Sequence, residues 1–164
     1  MTLLPLLDAS PIVQLHVGAA CLALLLGPFA LYGRRKGRGH KVQGYVWVIA
    51  MAVTALSSFG IHSFAVIGPF SPIHLLSLFA LWSLYEGMRH ILARRVAMHQ
   101  IVMRSLYWRG LCVAGLFNFL PGRTTNRMIF PEMPDAGYVV ISLGIAGLVW
   151  AGVRSRRTLQ AAMA

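Results

Sequence analysis

The sequence predicts an all-α protein: a polytopic membrane helix bundle with a four-helix core and a fifth transmembrane helix. Of the 164 residues, 57% are hydrophobic and only 12% are charged, whereas a soluble domain carries roughly 25% charged residues. The apolar residues form five runs, each near the roughly 20 residues that a helix needs to cross a bilayer. Fifteen Lys and Arg stand against four Asp and Glu, a formal charge of +11, and they lie mainly between these runs. This combination excludes most soluble enzymes, disulfide scaffolds and disordered tails. It also argues against nucleic acid binding, which uses a basic polar face.

The five apolar runs define the predicted spans in chain order. Prolines lie near most of the predicted ends, where helices tolerate them, whereas Pro28 lies inside the first span and is expected to kink it. Gly60 interrupts the second run. We interpret the chain as a single integral membrane domain without a soluble domain. The predicted spans are about residues 12–32, 42–67, 72–91, 97–120 and 136–153.

Basic residues set the predicted orientation. The connection 33–41, the connection between the third and fourth spans and the C-terminal tail share one side and hold eleven Lys and Arg, whereas the other side holds two. Because positive loops stay in the cytoplasm, we expect the N-terminus outside and the C-terminus inside. A bacterial inner membrane is the expected location.

Four of the six histidines lie near the starts of the first four spans. Imidazoles are costly in hydrocarbon and are usually functional where they occur there. Because alternate helices run in the same direction, His16 and His74 share the outer depth, and His40 and His99 share the inner depth. Facing helices of a bundle can supply the two axial ligands of a b-type haem. The pattern therefore predicts one or two haem b groups and a transmembrane electron carrier, with no open iron position for oxygen.

The haem propionates would need cationic partners. Helix amino termini favour anions, and the predicted basic partners are Arg38, Lys41 and Arg104 at the inner face and Arg123 at the outer face. A quinone or a small reductant would donate electrons at one face.

Two other functions stay open. The four histidines also suit an accessory subunit of a membrane complex, in which they only hydrogen-bond and the basic loops bind anionic lipid. In a third interpretation, His62 joins the outer pair and His90 the inner pair, because three imidazoles suit zinc or copper. Separately, we predict that Glu86, the one acid within the predicted bundle, pairs with Arg104 or Arg109.

Two family resemblances follow from these residues. The histidine pattern, with the basic segment GRRKGRGHKVQGY, resembles the transmembrane di-haem cytochrome b family that uses ascorbate or similar donors, over about residues 12–120. The resemblance implies that His16 pairs with His74 and His40 with His99 as haem ligands. The chain is also similar, over most of its length, to a family of small bacterial membrane proteins of unknown function, which implies a shared fold and no activity. The segments that carry this second resemblance are LLLGPFAL, RRKGRGHKVQGYVW, SPIHLLSLFALW and FLPGR.

Overall fold

The structure, a computed structural model, describes residues 3–33, 37–61 and 72–161. All regular secondary structure in these residues is helical, which confirms the predicted all-α class. The chain divides into two compact units. One comprises Leu6–Ala114, and the other comprises Met1–Pro5 with Gly115–Ala164, each as far as it is described.

After a short helix α1 (Leu4–Leu7), the first long helix is α2 (Pro11–Tyr32). Pro11 occupies its first turn, where a missing N–H removes no hydrogen bond, and the helix continues through Pro28. It ends where the Gly33 N–H donates to the carbonyl of Phe29 at 2.9 Å. Among the described helices, α2 alone is both long and apolar enough to cross a membrane by length and composition.

Helix α3 (Arg38–Ser58) follows Gly37, whose φ of 97° is a conformation that glycine adopts without strain. It ends well before residue 67, the predicted end of the second span, and residues 62–71 lie outside the described residues. In the turn after α3, the N–H of Gly60 bonds three residues back, to the carbonyl of Ser57. The hydroxyls of Ser57 and Ser58 donate to carbonyls of the preceding turn, which weakens a helix continuing through them.

The next two helices are α4 (Pro72–Leu92) and α5 (Val96–Ser105), joined by a short turn in which Arg94 has a positive φ of 58°. From there the chain continues as a π-helical segment (Leu106–Cys112) and then α6 (Val113–Phe117). The sequence predicted one uninterrupted helix here. π-Helical turns are rare and frequently lie at functional sites.

In the unit Leu6–Ala114, α2 packs on α3, α3 on α4, and α4 on α5, while α2 also contacts α5 and the π-helical segment. This order places α2 diagonally from α4, and α3 diagonally from α5. Each diagonal therefore carries one of the two predicted histidine pairs. The interior contains alanines that allow close helix approach; its buried apolar residues are Ala23, Ala30, Leu31, Trp47, Ala50, Met51, Ala55, Ala80, Leu84, Met103, Leu106, Tyr107 and Leu111.

Trp47 is a core residue. Its side chain is 2% exposed, and its Nε1–H donates to the carbonyl of Ala23 at 3.0 Å. The exposed surface of α2, α3 and α4 is mainly apolar instead of charged. Large exposed side chains on this surface include Leu25, Phe29, Ile49, Leu56, Leu75, Leu78 and Trp82.

The second unit contains α6 from Gly115 onward, α7 (Thr124–Ile129) and α8 (Ala136–Ala161). The loops around α7 are held by Asn126, which is fully buried. Its Nδ2 donates to the carbonyls of Phe119 and Pro134, both at 2.8 Å. The first part of α8, Ala136–Trp150, is apolar but short for a span.

Candidate functional site

His16, near the start of α2, bonds to the last turn of α3. Its Nδ1 lies 3.0 Å from the Oγ of Ser57. The Ser57 hydroxyl donates to the Val53 carbonyl at 2.6 Å and lies 3.2 Å from the carbonyl of Thr54, which also interacts with the His16 ring. Because the serine proton is used on a carbonyl, Nδ1 of His16 carries the proton and donates to Ser57.

His74, in the first turn of α4, bonds to the same end of α3. Its Nε2 lies 3.2 Å from the carbonyl oxygen of Ser58, so this nitrogen donates. One face of the ring stacks on Phe59, with the centroids 5.4 Å apart. The Ser58 hydroxyl donates to the Ala55 carbonyl at 2.7 Å and accepts from Ser77, 2.5 Å away. His74, Ser57, Ser58 and Ser77 are all buried.

These contacts bear on the predicted outer haem. An axial ligand needs an unprotonated nitrogen directed at the iron. His74 donates through Nε2 to a backbone carbonyl, so its unprotonated nitrogen is Nδ1, and one face of its ring is covered by Phe59. In His16 the unprotonated nitrogen is Nε2. The outer histidines are brought to one end of α3, where His16 bonds to Ser57 and His74 bonds to Ser58. Together with Ser77, which bonds to Ser58, these residues form the outer cluster.

His99 lies at the other end of the bundle, and one of its ring nitrogens is held by the neighbouring helix α4. Its Nδ1 donates to the carbonyl of Gly87 in α4 at 2.8 Å, which leaves Nε2 as the unprotonated nitrogen. Ligating histidines almost always donate their second ring nitrogen to a carbonyl, a carboxylate or water, which fixes tautomer and orientation. Gly87 also leaves room for Met103, because a Cβ there would meet the end of the methionine side chain.

His40, in the first turn of α3, provides the second inner imidazole. Its Nδ1 is buried without a hydrogen-bond partner, and the residue as a whole is partly exposed. A buried nitrogen without a hydrogen bond costs free energy, so His40 is a candidate for binding a ligand. Gly39 and Gly44 flank His40 in the sequence, and a Cβ on either would meet nothing within 4 Å. His40 thus differs from the other three predicted ligands, each of which has a hydrogen-bond partner for one ring nitrogen.

The predicted partners of Glu86 were wrong. Its carboxylate lies 3.2 Å from Arg89 and 3.6 Å from His90, both in its own helix, since residues three and four positions apart share a helix face. Arg109 is exposed, and Arg104 stacks on Tyr32, 4.8 Å from the ring centroid.

The alternative metal sites are not assembled in the described part of the chain. It contains no group of three or more His, Cys, Asp or Glu side chains that could hold a metal ion. His90 is paired with Glu86, and His62 lies outside the described residues.

The predicted propionate partners are divided between the two units. Arg38 and Lys41 are exposed in the first turn of α3, next to His40. Arg123 belongs to the other unit, directly before α7, and its partial burial lowers the pKa of the guanidinium.

Sequence reasoning missed Ser57 and Ser58, which bond to the outer histidines. The available signal was a pair of adjacent hydroxyls in an apolar helix, in the segment TALSSFG. It also missed Tyr32 as the partner of Arg104, because no sequence pattern links residues so far apart.

Comparison with known proteins gives one family. A family model described as "Predicted membrane protein (DUF2306)" matches residues 13–151. No curated protein and no solved structure matches the chain. The match agrees with the predicted likeness to an uncharacterised membrane protein family and provides no link to cytochromes.

Proposed function

Because the chain belongs to the DUF2306 family of predicted membrane proteins, we propose that it is an integral membrane b-type cytochrome whose axial ligands are His40 and His99. The observation that carries this proposal is the state of the two rings. His99 donates through Nδ1 to Gly87, leaving Nε2 free, and His40 holds a buried nitrogen without a partner. Both side chains lie at the amino-terminal ends of diagonal helices, the arrangement in which helical bundles hold cofactors.

A bound b-type haem supplies a one-electron iron couple, and two histidine ligands leave no iron position for oxygen. The residues of this chain would hold and orient the group. The Gly87 carbonyl fixes the tautomer of His99 and increases its basicity as a ligand. Arg38 and Lys41, exposed beside His40, provide positive charge for the propionates. A quinone or a small reductant is the proposed electron donor.

The proposed topology is five membrane spans with the N-terminus outside and the C-terminus inside, in a bacterial inner membrane. By length and hydropathy, α2 is the one described helix that qualifies as a span. For α3 and α4, the exposed apolar surface supports the same assignment. On α3 and α4, Ile49, Leu56 and Leu75 are about two-thirds exposed, at 61%, 59% and 69%. Contiguous exposed apolar surface on such helices is typical of a protein that faces lipid. Both helices also carry charged residues at one end, which lowers their mean hydropathy.

The direct test is a reduced-minus-oxidised visible spectrum of the full-length protein, purified in detergent after expression with haem supplied, with pyridine haemochrome quantitation. We expect a b-type α-band and about one haem per chain. His40→Ala and His99→Ala should each abolish it. His16→Ala and His90→Ala are matched controls that should retain it, because the proposal gives neither residue a ligand role.

Two outcomes would contradict the proposal. Absence of haem from the purified wild-type protein would remove the cytochrome function. Loss of haem in His74→Ala, with retention in His40→Ala, would place the cofactor at the outer pair instead.

An accessory subunit without a cofactor is the second candidate. The outer cluster favours it, because His16 and His74 are hydrogen-bonded to α3 and thereby join three helices. In that case the purified protein contains no haem, and His16→Ala alters assembly with partner subunits.

A further inference from the structure

Arg104, in the last turn of α5, is a half-buried cation without an acidic partner among the described residues. Its guanidinium carbon lies 4.8 Å from the centroid of the Tyr32 ring. Its Nε is buried and makes no hydrogen bond. Glu86, the one acid in the described helices α2 to α5, is paired with Arg89 and His90. A charge held partly out of water without a counter-ion is costly, so the site is suited to an external anion.

Tyr32 is oriented as a second donor beside this arginine. It is the last residue of α2, and its hydroxyl accepts a hydrogen bond from Nε1 of Trp108 at 2.8 Å. Since the tryptophan uses an acceptor site of the oxygen, the tyrosine O–H proton remains available to donate. The Arg104 guanidinium and the Tyr32 hydroxyl therefore present hydrogen-bond donors close to each other.

The π-helical segment explains how this cluster forms. Tyr107 and Trp108 are adjacent in sequence, yet both reach α2. The ring of Tyr107 is packed in the core, and its hydroxyl donates to the Leu24 carbonyl at 3.2 Å. The ring of Trp108 lies against Tyr32, because its Nε1–H donates to the Tyr32 hydroxyl. The wider turn of a π-helix allows successive side chains to contact the same neighbouring helix.

The exposure of the cluster indicates what binds there. Tyr32 is 50% exposed and Trp108 is 41% exposed, so the site opens on the outside of the bundle and not into its interior. Trp and Tyr at helix ends lie at the level of lipid headgroups. Basic pockets between helices on the cytoplasmic side bind anionic headgroups. The positive residues Arg38 and Lys41 lie in the chain a few residues after the end of α2.

We propose that Arg104, Tyr32 and Trp108 form a binding site for the phosphate of an anionic phospholipid. Arg104 pairs with the phosphate oxygens, Tyr32 donates its hydroxyl proton to one of them, and Trp108 holds Tyr32 in place. The site goes beyond the proposed haem function and does not depend on it. It assigns Arg104 to lipid instead of to a haem propionate.

The test is native mass spectrometry of the full-length protein titrated with phosphatidylglycerol, and with phosphatidylcholine of the same acyl chains. Arg104→Gln should lower the affinity for phosphatidylglycerol about fivefold, because it removes one direct hydrogen-bonded contact to the phosphate. Tyr32→Phe keeps the ring and removes the O–H, so we expect a loss of about threefold. Arg109→Gln removes the same charge from an exposed residue nearby and should leave the affinity unchanged.

Arg104→Lys is the second variant, in case the glutamine variant is unstable. Lysine keeps the charge without the planar group that stacks and pairs, so its affinity should lie between those of the wild type and Arg104→Gln. Equal affinities in Arg104→Gln and Arg109→Gln would overturn the lipid site. So would unchanged lipid affinity with a lowered haem content in Arg104→Gln, because that result assigns the arginine to a propionate.

Discussion

At the scale of single residues, the Ser57 hydroxyl holds His16 and the Ser58 carbonyl holds His74. Ser57 and Ser58 each donate to a carbonyl of their own helix and are left as acceptors for a second helix. His16 donates to Ser57, and Ser77 donates to Ser58. A ring held in this way is fixed in tautomer, because the partner can only accept. His99 is held instead by a backbone carbonyl, that of Gly87.

The Ser58–Ser77 contact gives a residue-scale prediction about stability. Ser58→Ala and Ser77→Ala should each lower the free energy of unfolding by about 1 kcal/mol, a usual value for a polar contact between membrane helices. The double variant should cost little more than either single variant, because the contact can be lost only once. Denaturant unfolding in detergent measures all four proteins.

Ser142→Ala serves as a control, since Ser142 is exposed on α8. Strict additivity of the Ser58 and Ser77 effects would show that the two hydroxyls do not interact.

The candidate site could be predicted in part from single residues. The spacing of the histidines indicated two levels in the bundle, and the structure places His16 and His74 at one end of α3. The hydrogen-bond partners could not be predicted, because backbone carbonyls such as that of Gly87 have no signature in the sequence. The Glu86 pairing is different: Arg89 and His90 lie three and four residues further along the same helix, so helix spacing alone could have predicted it.

At the scale of elements, close approach between α2 and the π-helical segment depends on Gly27. A Cβ at this position would collide with the Tyr107 ring, which is anchored by its bond to the Leu24 carbonyl. Gly27→Ala should therefore destabilise the protein by about 1–3 kcal/mol, the usual cost of overpacking. The midpoint of thermal unfolding in detergent reports the change.

Gly18→Ala is the matched control in the same helix. A Cβ at Gly18 meets nothing within 4 Å, and alanine favours a helix by about 1 kcal/mol over glycine. The control should be neutral or stabilising. A Gly27→Ala protein as stable as Gly18→Ala would mean that Tyr107 does not pack against α2.

Helix positions were more predictable than helix ends. Apolar runs predicted where α2 and α4 lie, because their length and hydropathy are properties of whole segments. The end of α3 at Ser58 depends on local competition between serine hydroxyls and the helix backbone. The π-helical segment depends on how Tyr107 and Trp108 pack against α2, so it could not be read from periodicity.

At the scale of the whole molecule, charge and apolar surface are separated. The basic residues gather in a few connections, while the exposed side chains of α2, α3 and α4 are largely apolar. Such a surface would be an aggregation hazard in water and is suited to lipid. In the proposed topology, the positive-inside rule puts the basic connections on one side of the membrane.

The number of spans can be tested by cysteine labelling in a Cys21→Ala, Cys112→Ala background. Single cysteines replace Ser10 before α2, Ala93 between α4 and α5, and Glu132 before α8, all at exposed positions. In the proposed topology, an impermeant maleimide labels Ser10→Cys and Glu132→Cys in intact spheroplasts. Ala93→Cys should react only after the membrane is permeabilised. If the chain crosses the membrane at α2 alone, Ala93→Cys and Glu132→Cys lie on the same side and react alike.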